Sequence, residues 1–345
     1  MRALLFLTTF LLAMPLQAQA DPDRVVLAVH GGAGVITRGN LSAEAETEIR
    51  AALERALRAG HAEIVAGKPA MDAVIAAIQP LEDDPHFNAG KGAVMTADFQ
   101  SELDASVMDG HSGEAGAVAG VRHLKSPIAA ARAVMERSPH VLLAGAGAEE
   151  FALTQGLELV PNTYFHTDRR RRSLEQMLER QREEAEGTGD AGWNPEPWQM
   201  TGTVGAVALD QMGHLAAGTS TGGMTGKRYG RVGDSPIIGA GTFADATVAV
   251  SATGHGEYFI RHAVAYDIAA RMKYLGESVD AASRGAIFGP MQAAGGTGGV
   301  IALSSTGEAA LPFNTEGMYR GTITAGAVVT VEIYGDEGEA GEGAE

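Results

Sequence analysis

The sequence predicts an α+β fold in which two β-sheets pack together with helices outside. Three observations predict it. Apolar, strand-like runs cluster at the start of each half of the chain, amphipathic helical stretches follow them, and no repeat of solenoid period interrupts the pattern. Of the 345 residues, 45% are hydrophobic and 20% charged, enough apolar material for a sizeable core. The 46 glycines gather in short runs beside polar residues, which points to tight turns and close backbone approaches.

In chain order, Arg2, the apolar run 4–12 and the small residues Ala18 and Ala20 read as a secretory leader cut after Ala20. The run is too short to span a bilayer. The mature chain is expected to start near Asp21, exported and soluble, in the periplasm of a Gram-negative host or secreted. Residues 24–30 form a buried strand ending in the run HGGAG. Ser42 caps the next helix, Glu44, Glu46 and Glu48 suit its positive end, and Ile49, Leu53, Leu57 and Ile64 mark its buried face until Gly67. A second helix covers about 71–79. An irregular loop, LEDDPHFNAGKGAV, follows. Residues 117–121 read as a strand, and Pro127 opens a helix through about Arg137.

From about 168 to 202 the chain turns polar. Its first half can form an exposed helix; its second half, rich in glycine and proline, reads as a flexible linker. The basic run 169–172 reads as a solvated stretch. The second half of the chain is strand-rich: TVGAVALD and HLAAGTST form a hairpin, ATVAVSATG a strand, 257–274 one amphipathic helix, GVIALSST and GEAALPFN a second hairpin, and AVVTVEIY a closing strand. The acidic stretch 336–345 reads as a disordered tail. The net charge of −17 excludes a nucleic-acid partner, which needs a basic face. The absence of cysteine excludes disulfides, thiolate metal sites and a cysteine nucleophile. No later stretch is long and apolar enough to cross a membrane.

Thr203 follows Gly202 and the linker, at the start of a buried strand. A β-branched residue opening a strand is ordinary. A threonine hydroxyl becomes a nucleophile only with a base beside it. Cutting the Gly202–Thr203 bond would create one, because an α-amine has a reference pKa of about 7.7–8.0. Arg231 and Asp234 form a second constellation: a free amino-acid headgroup carries one charge of each sign, and a site selecting it needs the same. A structural ion pair on a glycine-rich turn is the alternative reading.

These stretches resemble one family. TGTVGAVALD, TSTGGMTGK, GRVGDSP, VSATGHGEYFIR, GGTGGVIAL and ALPFNTEGMYR, with AVHGGAG, FNAGKGAV and ELDASVMDG upstream, follow in order the blocks of the plant-type L-asparaginases and isoaspartyl peptidases, which are Ntn-hydrolases. The resemblance covers nearly all of residues 24–334. It implies a four-layer αββα sandwich made as one precursor and cut into an α chain, 21–202, and a β chain, 203–345. It implies hydrolysis of L-asparagine and β-aspartyl dipeptides through a Thr203 ester, with no cofactor in catalysis. Thr221 then positions the nucleophile, Arg231 grips the substrate α-carboxylate and Asp234 its ammonium. The Thr253 hydroxyl and the Gly254 N–H form the oxyanion hole, and Asn88 supports the nucleophile region. Backbone carbonyls of Leu81, Glu82, Asp84, Phe87, Ala89 and Lys91 would hold a structural sodium ion, and the αβ units would pair as a homodimer. His30, Asp104 and Asp109 read as scaffold, and HGGAG as close backbone packing near the site.

Some positions depart from the family's commonest pattern: Met200-Thr201 before the cleavage site, Gly226 where asparagine is frequent, and Arg228-Tyr229 before GRVGD. They bear on the rate of self-cleavage and on substrate preference. Two rival functions share parts of this pattern: a glycosylasparaginase with the same threonine, and a periplasmic amino-acid binding protein using the same arginine–aspartate pair.

Overall fold

The computed structural model describes residues 21–188 and 202–337. The leader, 1–20, most of the linker and the tail from 338 onward lie outside the described residues. The elements are β1 (Val25–Gly34), α1 (Ala43–Val65), α2 (Ala70–Glu82), β2 (Leu103–Asp109), β3 (Ala115–Val121), α3 (Pro127–Arg137), β4 (Leu142–Ala144), α4 (Gly145–Thr154) and α5 (Asp168–Thr188). After the gap come β5 (Val204–Leu209), β6 (Leu215–Thr221), β7 (Thr242–Ala244), β8 (Val248–Gly254), α6 (Gly256–His262), α7 (Val264–Ala270), α8 (Val279–Ala286), β9 (Gly298–Ser304), β10 (Ala309–Ala310), β11 (Gly317–Thr324) and β12 (Val329–Tyr334).

They make two sheets. The larger runs β12-β11-β1-β5-β6-β2-β3-β4, the smaller β10-β9-β8-β7. Successive residues of a strand face opposite sides, and the core divides accordingly. On β1 and β5, Leu27, Val29, Val204 and Ala206 pack with Leu53, Leu57, Val74 and Ile78 of α1 and α2. The alternate residues, Ala28 and Val207, pack with Ala249, Ile301 and Leu303 of the smaller sheet. That sheet's other face, with Val248, Val250 and Val300, is covered by Ile268 of α7 and Ala282 of α8. At about 25 cal/mol per Å² of apolar surface, burial of this kind is the main favourable contribution to folding.

The Ser42 cap is present, its hydroxyl accepting from the Ala45 N–H at 3.2 Å. The α3 boundaries and both hairpins also match their sequence signals. Four expectations need correction. The segment from 168 is not linker up to residue 188: it is helical, as its first half was expected to be, and mostly exposed, but one face is buried. It is the helix α5, which buries Leu174 and Met177 against Met95. The basic run is not simply solvated. The Arg169 guanidinium donates to the carbonyls of Pro85 and His86, and buried Arg170 donates through Nε to the Gly92 carbonyl at 2.7 Å. The single helix expected over 257–274 is broken at Ala263, whose φ of 46° is left-handed, giving α6 and α7. The start of the acidic stretch is also fixed: Glu337 pairs with Arg50 at 2.6 Å and accepts from the Ile333 N–H.

Candidate active site

Strand parity assembles the site. His30 lies two residues after Ala28, Thr219 and Thr221 follow Ala217 at the same spacing, and Ser251 and Thr253 follow Ala249. All five therefore share the face on which the two sheets meet. Thr203, in step with Val207, faces the same way. It is buried, 8% exposed. Its hydroxyl donates to Thr221 Oγ1 at 3.0 Å, and its backbone N–H donates to Thr253 Oγ1 at 3.3 Å. The Thr253 hydroxyl also accepts from the Ala33 N–H at 3.3 Å. Thr221 Oγ1 accepts in turn from the Gly223 N–H at 3.0 Å.

The HGGAG run lies as β1 beside this bond. A Cβ on Gly32, where φ is +116°, would sit 2.2 Å from the Gly202 Cα, so no side chain fits where the strand crosses the Gly202–Thr203 peptide. Gly202 itself has φ +61°. Close packing of backbone is thus what these glycines supply.

His30 is buried within this packing. Nδ1 lies 3.0 Å from the Thr203 carbonyl oxygen and Nε2 2.9 Å from Ser251 Oγ. Burial lowers its pKa to about 3, partly offset by the bond to the Thr203 carbonyl. The neutral ring therefore donates from Nδ1 to the carbonyl and accepts from Ser251. Ser251 Oγ continues to Thr219 Oγ1 at 2.7 Å. This hydroxyl chain was not read from the sequence, although serine and threonine on the core face of apolar strands were its signal.

Asn88 braces the other side. Its Nδ2 donates to the Gly223 carbonyl at 2.8 Å, its Oδ1 accepts from the Val94 N–H at 2.9 Å, and its carbonyl accepts from the Gly222 N–H at 3.0 Å. The bonds to Gly222 and Gly223 fix the turn after Thr221, and the Val94 bond holds the Asn88 side chain in place. Asp104 and Asp109 hold backbone, Asp104 accepting from the Gly120 N–H at 2.7 Å and Asp109 from that of Ser112 at the same distance.

The charged pair meets at Gly256. A Cβ there would lie 2.7 Å from Asp234 Oδ1 and 3.0 Å from Arg231 Nη2. Asp234 is buried, and its Oδ2 has no hydrogen-bond partner among the described residues. Burial raises its pKa to about 7, against the lowering pull of Arg231. Arg231 presents its two-point edge to a carboxylate of the protein: Nε and Nη2 each lie 2.9 Å from Glu257. Burial would raise the Glu257 carboxyl, but hydrogen bonds from His255 and Arg231 hold it far below the usual range. The arginine is therefore oriented by Glu257, a partner the sequence reading missed although it stands in the block VSATGHGEYFIR.

Loop 83–91 shows how carbonyls converge. A Cβ on Gly92 would lie 2.6 Å from the Pro85 oxygen and 2.8 Å from that of Phe87. The buried Glu82 side chain ties the end of α2 to Ser126, Ser220 and the Ile128 N–H, and burial raises its pKa to about 7.

A buried hydroxyl nucleophile candidate, with neighbouring N–H and O–H groups and a cation–anion pair nearby, defines an amide-hydrolase type of site on a mixed α and β fold with two sheets. Residues 23–333 match the family described as Asparaginase, and the chain belongs to that family. It is 50% identical over 317 residues to the isoaspartyl peptidase of Escherichia coli (strain K12), covering 92% of this chain and 98% of that protein. It is 41% identical to a probable isoaspartyl peptidase/L-asparaginase 2 of Arabidopsis thaliana, covering 89% and 98%. It is also 41% identical to the isoaspartyl peptidase/L-asparaginase of Mus musculus, covering 86% of each.

Proposed function

We propose that the protein hydrolyses β-aspartyl dipeptides and L-asparagine, and that it first cuts its own Gly202–Thr203 bond. The observation that carries this reading is the Thr203 hydroxyl, 3.0 Å from Thr221 Oγ1, at a peptide bond packed against β1 by glycine alone. The names of its relatives support the substrate class. Thr203 Oγ attacks the Gly202 carbonyl carbon. The C–N bond breaks, the proton passes to the freed nitrogen, and an ester links Gly202 to Thr203. Water hydrolyses it, leaving a Gly202 carboxylate and a free Thr203 α-amine.

In the mature site that amine takes the hydroxyl proton. Arg231 and Asp234 hold the substrate carboxylate and ammonium. Thr203 attacks the side-chain amide carbon, and the Thr253 hydroxyl and Gly254 N–H stabilise the oxyanion, each such donor contributing roughly 3 kcal/mol. Ammonia or an amino acid leaves with the proton. Water then clears the β-aspartyl ester.

Pairwise packing of helices on sheet and sheet on sheet supports a four-layer αββα sandwich for the precursor. A structural sodium ion, a hard cation suited to oxygen ligands, would be held by the backbone carbonyls of Leu81, Glu82, Asp84, Phe87, Ala89 and Lys91, as a shape-keeping group outside the chemistry; of these, the Phe87 carbonyl faces the space at Gly92, 2.8 Å from where a Cβ would lie. Export after Ala20 and pairing of αβ units complete the proposal. Among the described residues no helix is long and apolar enough to cross a membrane. The test measures aspartate release from β-Asp-Leu and from asparagine. Wild type should release it and Thr203→Ala should not; equal activity in the two proteins would overturn the reading.

A further inference from the structure

Arg231 does not have its whole fork available for a substrate carboxylate, because Nε and Nη2 both go to Glu257. The remaining edge ends in Nη1, and a second cation lies beside that atom. A Cβ on Gly223 would sit 2.9 Å from Lys227 Nζ and 3.4 Å from Arg231 Nη1. Gly223 stands in the turn that donates its N–H to Thr221 Oγ1 and that Asn88 braces. Two cationic groups therefore converge two residues after Thr221, whose hydroxyl accepts from the nucleophile candidate.

We propose that Lys227 is the second cation of the headgroup site, and that with Arg231 Nη1 it selects substrates carrying a free α-carboxylate. The inference rests on the hydrolase reading above. Lys227 is 1% exposed, as buried as Thr253. An ammonium has three donors. Among the described residues Nζ makes one hydrogen bond, to the Glu102 carbonyl at 2.9 Å. Its acidic neighbour Asp104 lies 3.9 Å away, beyond hydrogen-bond range. Asp104 spends Oδ1 on the Gly120 N–H, and its Oδ2 has no partner among the described residues. Lys227 is thus a buried cation with donors to spare, its charge offset only at a distance. An ion so placed is costly until an anion pairs with it. A substrate carboxylate at Gly223 supplies that anion and the missing acceptor. Asp104 has a part in this: burial favours the neutral amine of Lys227, and the Asp104 charge opposes it. A purely structural pin would need only the bond to Glu102.

The test compares kcat/KM for L-asparagine and L-asparaginamide, which carries an amide in place of the α-carboxylate; loss of the side-chain amide is read for both. Wild type should prefer asparagine. Lys227→Met should lower that preference by about tenfold, a modest share of what one charge exerts over a few ångströms. Loss of a structural pin would slow both substrates alike and leave the ratio unmoved. Where Lys227→Met fails to fold, the double variant Lys227→Met with Asp104→Asn takes its place, since it removes both buried charges and strands neither. An unchanged ratio in variants that hydrolyse asparagine would overturn the role of Lys227 alone. A wild type that hydrolyses neither substrate would overturn the function itself.

Discussion

Thr203 draws its chemistry from neighbours that lie far away in sequence. Among the described residues its hydroxyl donates to Thr221. Thr221→Val keeps the shape and removes the acceptor, so kcat should fall by about 10²-fold, the lower end for a lost proton-transfer arrangement, with KM little changed. Thr221→Ser should keep most of the activity; steady-state kinetics on both variants checks this. Asp234 gives a pH prediction. Burial raises its pKa to about 7, so the group is neutral below that value and would lose the attraction for a substrate ammonium proposed for it. KM for asparagine should rise as pH falls below about 7 and level off above it, read from a KM–pH series. Thr203, Arg231 and Asp234 were legible as motif residues. Glu257 and His30 were not given their contacts, because their partners are set by folding: one lies against the arginine fork, the other touches the Thr203 carbonyl across the sheet.

Among the elements, α5 departs furthest from its sequence signal. Charged residues dominate it, yet Arg170, Leu174 and Met177 recur at helical spacing and lie buried together. The pattern was present but outnumbered by solvated positions. A Cβ on Gly226 would strike the Met177 side chain at 2.1 Å, so α5 packs directly on the turn leading to Arg231. Leu174→Ala should cost about 2–4 kcal/mol by cavity formation, measured by denaturant titration. The capped helix α1 and the hairpin β5–β6 were read well, because their signals are local. The break at Ala263 was not, since nothing in that stretch forbids a continuous helix and tertiary packing decides it.

For the whole molecule, two packed sheets were legible from the clustering of strands, but the strand order was not. β1 sits between β11 and β5, and β2 pairs with β6, so strands from before and after Gly202 interleave in one sheet. No local signal encodes such long-range pairing. The interleaving means that the proposed cleavage would not separate the two chains, because parting them would break three strand ladders. Gel filtration of native wild type followed by N-terminal sequencing of the single peak tests the central claim, that Thr203 becomes a free terminus. The account predicts two sequences from one peak, one beginning TVGAV at Thr203, and none beginning there in a Thr203→Ala protein. A fully active wild type without a terminus at Thr203 would contradict it.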